Sequence, residues 1–164
     1  LYRATKIACE ELVRNYGIRE TVSLRVSFVY GRGRTIACPI RELVRDLRQK
    51  GAVCWERGCD QLQDYIHVTD VAEGIRSVVL AGVLSGKEYN IGGGQAVRFD
   101  EIVETVRRRY PGKKIQVGTG DLGFSPAVLS IERMHRDFGW SPKVDFATGL
   151  EDYLNWLDTQ VSLV

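Results

Sequence analysis

"QDYIHVTDVAEGIRSVVLAG", residues Gln63 to Gly82, changes its grammar halfway. The opening QDYIHV is short and mixes aromatic with β-branched side chains, which reads as a strand. From Thr69 onward the apolar residues fall at helical spacing, with Thr69 or Asp70 as the expected N-cap. His67 ends the strand and is expected to pack or cap rather than to act as a base.

The same alternation runs outward in both directions. Upstream, residues 2–16 place Ile7, Ala8, Leu12, Val13 and Tyr16 on one helical face, and Gly17 fits a C-cap. Thr21–Gly31, "TVSLRVSFVYG", reads as one buried strand. Pro39 opens a helix that Gly51 stops, and "AVCWERG" follows as a short strand. Downstream, "EYNIGGG" is a strand running into a glycine turn. "FDEIVETVRRRYPG" is a helix with Asp100 and Glu101 in its first turn, and "KIQVG" is a strand. "SIERMHRDFGW" and "FATGLEDYLNWLDTQ" are closing helices, whose Trp140 and Trp156 are expected in the core. Strands alternating with helices give an α/β class with at least a partly parallel sheet.

The 164 residues suit one domain or parts of two. A hydrophobic share of 44% and a charged share of 27% are ordinary for a globular chain. A net charge of +2 does not argue for nucleic acid. The clusters Arg107–Arg109 and Lys113–Lys114 read as the solvated end of a helix. No apolar run reaches the roughly 18 residues of a membrane span. Cys9, Cys38, Cys54 and Cys59 form no C-x-x-C pair and only two His are present, so no zinc site is expected. Scattered thiols of this kind point to a reducing, cytoplasmic setting. The chain starts at Leu1, inside a helix, so any targeting segment upstream of it is outside this sequence.

Gly118-Thr119-Gly120-Asp121-Leu122-Gly123 matches G-x-G-x-x-G. A dinucleotide fingerprint also needs a helix opening directly on its glycines, because the helix N-terminus holds the pyrophosphate. Here Phe124-Ser125-Pro126 intervene, and helical periodicity starts only near Ser130. The match reads as a glycine turn leaving a strand. "GRGR" fails at Ile36 and "GGGQ" at Val97.

Tyr2 and Lys6 are four residues apart, hence one turn apart on one helical face. A fixed ammonium favours the ionised form of a neighbouring phenol. Such a phenol can take a proton from a substrate hydroxyl while hydride leaves the adjacent carbon.

From Tyr2 onward the sequence resembles the extended short-chain dehydrogenase/reductase family, in its NAD-dependent epimerase/dehydratase branch that includes UDP-glucose 4-epimerase. Tyr2-Arg3-Ala4-Thr5-Lys6 is similar to that family's Y-x-x-x-K. "SLRVSFVYGRG", "DYIHVTDVAEGI", "YNIGGG" and "FGWSPKVDFATGLEDYLNWL" resemble four further family motifs in the same order. The resemblance implies the second half of a Rossmann-type parallel sheet interleaved with a smaller substrate-binding lobe. Residues 1–35 and 64–95 would belong to the nucleotide-binding domain, and 36–63 and 96–164 to the lobe. It implies Tyr2 as general base and acid, and Lys6 on the nicotinamide ribose. Backbone near Phe28 and Val29 would flank the nicotinamide, and Arg34, Trp55, Gln63 and Thr119 would lie at the substrate. The cofactor would be NAD or NADP, bound mainly by an upstream half that this sequence does not contain. A homodimer through the Tyr2–Tyr16 helix is implied too, with a sugar or sugar-nucleotide substrate and no nucleic acid or membrane partner.

The sequence departs from the family at telling places. Gln63 and Thr119 stand where nucleotide-sugar enzymes carry arginines for the diphosphate, which puts UDP- and TDP-sugars in doubt. Arg34, Arg57 and Arg98 are the cations available to compensate. Phe28 replaces a common Asn, and Arg32 a Pro. The expected function is an NAD(P)-dependent sugar or nucleotide-sugar epimerase or dehydratase. The alternatives are a sugar or sugar-acid dehydrogenase and a non-catalytic NAD-binding scaffold or sensor.

Overall fold

A computed structural model describes residues 1–17, 21–124 and 126–160. The elements run α1 (Tyr2–Asn15), β1 (Ser23–Val26), β2 (Phe28–Tyr30), α2 (Pro39–Lys50), β3 (Ala52–Trp55), β4 (Leu62–Gln63), β5 (Tyr65–His67), α3 (Val68–Val79), β6 (Glu88–Ile91), β7 (Val97–Arg98), α4 (Phe99–Arg109), β8 (Lys114–Val117), α5 (Glu132–Phe138) and α6 (Phe146–Thr159). Three strand pairs are parallel: β1 with β6, β2 with β5, and β3 with β8. The fourth, β4 with β7, is antiparallel. The α/β class follows from these pairs.

The Thr21–Gly31 stretch is two strands rather than one. The Ser27 N–H donates to Ile91 O at 2.9 Å, and the Phe28 N–H donates to Asp64 O at 2.9 Å. The chain thus changes partner from β6 to β5 between consecutive residues. Nor is the first of these strands buried: Arg25 and Val26 are exposed, because β1 has β6 on one edge only among the described residues. The expected Gln63–Val68 strand likewise breaks at Asp64, into antiparallel β4 and parallel β5.

β5 separates two cores. Successive strand residues point to opposite faces, so Tyr65 enters a large cluster with Tyr30, Phe99 and Tyr153. Its neighbour Ile66 enters a second cluster with Tyr89, Ile91, Met134 and Trp140. Trp156 packs against the first.

Two expected end signals are used differently. The N-cap of α3 is His67, whose Nδ1 lies 2.7 Å from Thr69 Oγ1 and accepts from the Thr69 N–H. Asp70 instead turns inward and accepts from the Lys143 and Val144 N–H groups, each at 3.0 Å. The basic end of α4 is only partly solvated. Arg107 donates to Ile115 O, and Arg109 reaches Glu151, Asn155 and Asp158 on α6. These arginines fasten α4 to β8 and α6.

Asp64 is fully buried. Its carboxylate accepts from the Gly93 N–H at 2.8 Å and the Leu129 N–H at 3.0 Å. Gly92 and Gly93 pass so close that a Cβ on Gly92 would stand 2.6 Å from Asp64 Oδ2, and one on Gly93 would collide with the Tyr65 carbonyl oxygen. The glycines after β6 are therefore a steric requirement of this clamp. Gly93→Ala is expected to cost about 3 kcal/mol, because backbone must move to relieve the clash. Gly82→Ala, with open space around it, is expected to stay within about 0.5 kcal/mol. Urea unfolding of both variants decides this, and equal stabilities would refute the close approach.

Burial raises the Asp64 carboxyl above the ordinary aspartate range, and the backbone N–H groups only partly offset it. The folded state then binds more protons than the unfolded state from pH ~4 upward, so this group's contribution falls as pH rises through the folded value. Asp64→Asn is expected to lose about 1–3 kcal/mol near pH 4, with a gap that narrows toward pH 7. A gap that widens with pH in the same unfolding assay would reverse the sign assigned to Asp64.

Candidate functional site

Two grooves hold the candidate residues. The first lies between α1 and β1, has a volume of about 480 Å³ and is lined by Tyr2, Lys6, Cys9, Glu10, Val13 and Ser23–Val26. The four-residue spacing brings Lys6 Nζ to 5.4 Å from the centre of the Tyr2 ring, a cation–π contact. Tyr2 remains 74% exposed, so its hydroxyl is accessible. The groove is braced by Arg25, whose Nε and Nη2 reach the two Glu10 oxygens at 2.7 and 2.6 Å. That pairing holds the Glu10 carboxyl below its usual range.

The second groove, about 400 Å³, is lined by Phe28, Arg34, Ala37, Cys38, Pro39, Glu42, Trp55, Leu122 and Phe124. Its shape follows from local sequence. Pro39 starts α2 directly behind Cys38, and this sets Glu42 in the first turn. Gln61 Oε1 accepts from the Leu122 N–H at 2.9 Å and the Phe124 N–H at 3.3 Å, which fixes the opposite wall. Trp55 is held from both sides: its ring stacks on Phe99 at 5.8 Å and 4°, and its Nε1 donates to Asp46 at 3.1 Å. Burial pushes the Asp46 carboxyl up, but the Trp55 N–H and the Lys50 and Arg45 cations outweigh it and leave it lowered.

Arg34 lies with its guanidinium carbon 4.8 Å from the centre of the Phe28 ring, and its Nη1 donates to Val29 O at 2.6 Å. Its Nε is buried with no partner. One Glu42 oxygen pairs with Arg45, while Oε1 is buried and unpartnered. Gln63 Oε1 is a third such atom. Buried polar atoms are nearly always bonded, so these three are exceptions, enclosed in the packing rather than open to a groove.

The structure thus brings Phe28, Arg34 and Trp55 together and keeps Tyr2 and Lys6 in a separate groove. Val29 contributes its carbonyl to holding Arg34. Gln63 and Thr119 line neither groove; Thr119 sits on an exposed turn. The sequence reading missed Glu42, Leu122 and Phe124. Leu122 and Phe124 stand between Asp121 and Ser125 with Gly123 between them, so no apolar pattern announced them.

The Gly118–Gly123 run is a turn stitched to the 56–60 loop. Gly58 N–H donates to Gly120 O, Cys59 N–H to Gly118 O, and Gly120 N–H to Asp60 Oδ2 at 2.6 Å. The Gly120 N–H and Arg98 hold Asp60 below the usual carboxylate range. No helix opens on these glycines, and the Gly120 N–H already has a partner. Among the described residues, no helix is long and apolar enough to cross a membrane, and no group of three or more His, Cys, Asp or Glu is placed to hold a metal.

Comparison with known proteins finds relatives in sequence and in fold. UDP-glucuronate 4-epimerase 1 of Arabidopsis thaliana is 26% identical over 180 residues, covering 95% of this chain and 41% of that enzyme. GDP-L-fucose synthase 1 of Arabidopsis thaliana is 32% identical over 112 residues, covering 63% of this chain and 32% of the enzyme. Among solved structures, the dTDP-glucose 4,6-dehydratase of Bacillus anthracis in complex with NAD superposes with a TM-score of 0.78 at 25% identity, covering 96% of this chain and 50% of that one. The chain spans about half the length, or less, of these relatives. The model of the NAD dependent epimerase/dehydratase family matches residues 1–92, and the chain belongs to that family.

Proposed function

We propose that the whole protein is an NAD(P)-dependent epimerase or dehydratase acting on a sugar or nucleotide sugar through Tyr2 and Lys6. The observation that carries this reading is the pair itself: an exposed phenol with an ammonium 5.4 Å from its ring centre, facing an open groove beside β1. A phenol and an ammonium on one accessible face suit a ribose diol and the reacting end of a nicotinamide, so these residues fit the cofactor. The dinucleotide, when bound, supplies reversible hydride transfer at a sugar carbon. Lys6 holds the ribose hydroxyls and keeps a positive charge beside Tyr2. Tyr2 takes the proton from the substrate hydroxyl and returns it. Phe28 and Val29 flank the nicotinamide through their backbone. Arg34 and Trp55 hold the distal part of the substrate, while Gln63 and Thr119, which line neither groove, are left outside it.

The division into a nucleotide-binding part, residues 1–35 and 64–95, and a substrate lobe, 36–63 and 96–164, has support in the strand pairing. β1, β2, β5 and β6 pair among themselves, and so do β3, β4, β7 and β8. The relatives' names carry UDP, GDP and dTDP, so family membership leaves the base open.

In the full-length protein, Tyr2→Phe is expected to lower turnover by about 10²–10⁴-fold, the usual share of a general acid–base group, with cofactor affinity unchanged. The assay is product formation from a panel of nucleotide sugars, with NAD binding measured in parallel. Turnover within a few fold of wild type would remove Tyr2 from the chemistry.

The same reading makes α1 the contact between two copies. No α1 residue is buried, and Ile7, Leu12 and Tyr16 are 63%, 68% and 72% exposed. An apolar stripe of this kind needs a partner. Light scattering is expected to give a dimer that Leu12→Glu converts to a monomer. A monomeric wild type would refute the contact.

A further inference from the structure

Resting on the reading of the second groove as the distal substrate site, we infer that Arg32 is a positioning residue. Its ion pair with Asp152 latches the loop of residues 31–38 onto α6, and the latched loop gives the form of the groove that binds substrate.

The loop leaves β2 and leads into α2, and it supplies Arg34, Ala37 and Cys38 to the lining of the groove. Its two ends are fixed by packing. Gly31 is buried at φ 127°, where a Cβ would stand 2.8 Å from Val68 Cγ1 and 3.0 Å from His67 Nε2. Cys38 is buried too, and its Sγ lies 3.8 Å from the Tyr153 hydroxyl. The stretch between these ends is held less closely. Thr35, Ile36 and Ala37 are exposed and make no hydrogen bond among the described residues. Gly33, at φ 84°, has open space where a Cβ would be.

Two arginines tie this stretch down in different ways. Arg34 donates to Val29 O at 2.6 Å, which returns the loop to the strand it has just left. Arg32 reaches another element. Its Nε lies 3.1 and 3.0 Å from the two Asp152 oxygens, and its Nη2 lies 2.5 Å from Oδ1. This bonding holds the Asp152 carboxyl below its usual range. Asp152 stands on α6, whose Leu150, Tyr153, Leu154 and Leu157 are buried. The anchor is therefore firmly packed, and the loop is what the pair positions.

A guanidinium forked onto one carboxylate is the geometry in which an exposed pair counts. With side-chain exposures of 60% and 36%, the pair is also open to screening by salt. It biases the loop without locking it. Neither Arg32 nor Asp152 lines the groove, so the pair acts through the loop and not on the substrate.

Two measurements on the full-length protein test this. The first is trypsin cleavage within the loop, located by mass spectrometry. Asp152→Ala keeps Arg32 and Arg34 as cleavage sites and is expected to speed cutting about two- to fivefold, the shift one exposed ion pair can produce. An unchanged rate would overturn the latch, whatever the groove binds. The second is steady-state kinetics on the nucleotide-sugar panel. Arg32→Met and Asp152→Ala are each expected to raise KM about two- to fivefold with kcat unchanged, because only the latched fraction binds. The double variant is expected to match either single one, since both remove the same contact. Wild-type KM is expected to rise with salt more steeply than that of the variants. Additive effects, a fall in kcat at unchanged KM, or equal salt slopes would overturn the positioning role. Faster cleavage with KM unchanged would overturn the reading of the groove as a substrate site. If the panel gives no turnover, the proposed function fails, and the cleavage rate still decides the latch.

Discussion

A buried carboxylate holds the middle of this molecule together. Asp64 stands where the chain leaves antiparallel β4 for parallel β5, and its side chain bonds the backbone of the glycine turn after β6 and of the segment before α5. Its own carbonyl receives the Phe28 N–H, the bond at which the Thr21–Gly31 stretch changes partner. One residue therefore joins segments far apart in sequence at the seam between the two cores. A buried charge of this kind is tolerated only with bonded partners. The glycine turn supplies them, because only residues without side chains let backbone N–H groups approach so closely.

Helix signals that are local in sequence were readable directly. Pro39 and Gly51 bracket α2 because ring-fixed φ suits a first turn and a left-handed residue suits a last one, and Gly51 has φ 73°. Gly17 follows α1 in the same way, with φ 77°. The features the sequence hid are those that depend on distant partners. An aspartate in a first turn looks alike whether it caps or not. Asp70 is drawn away by two N–H groups at positions 143 and 144, which no local pattern announces. The break between β1 and β2 is equally silent, since Val26 and Phe28 on either side of Ser27 are good strand residues and the partner change is imposed by Ile91 and Asp64.

The site was legible in part for a similar reason. Tyr2 and Lys6 are one turn apart, so spacing alone puts them together. Phe28, Arg34 and Trp55 meet only because β2, the loop after it and β3 converge, and the resemblance rather than any spacing named them. Glu42 escaped notice because an acid in a first turn already has a dipole reason to be there. Its unpartnered oxygen becomes visible only once α2 is packed against the groove.

Charge separates the two grooves in a way that fits two tasks. Beside β1, Lys6 is the cation next to the exposed Tyr2, and Arg25 is consumed by Glu10. In the second groove Arg34 is the cation in the lining, and Glu42 lies in the same wall. Arg98, which could have helped with a diphosphate, is already bound to Asp60 and Asp100 at 3.1 and 2.9 Å. A groove whose cation is balanced by a nearby carboxylate attracts an anion weakly at long range. Any selectivity of such a groove would act at contact distance, where a mismatched polar atom is left unpaired. On the proposed reading the second groove holds the distal part of the substrate, and the proton chemistry would stay beside β1, where Tyr2 is exposed.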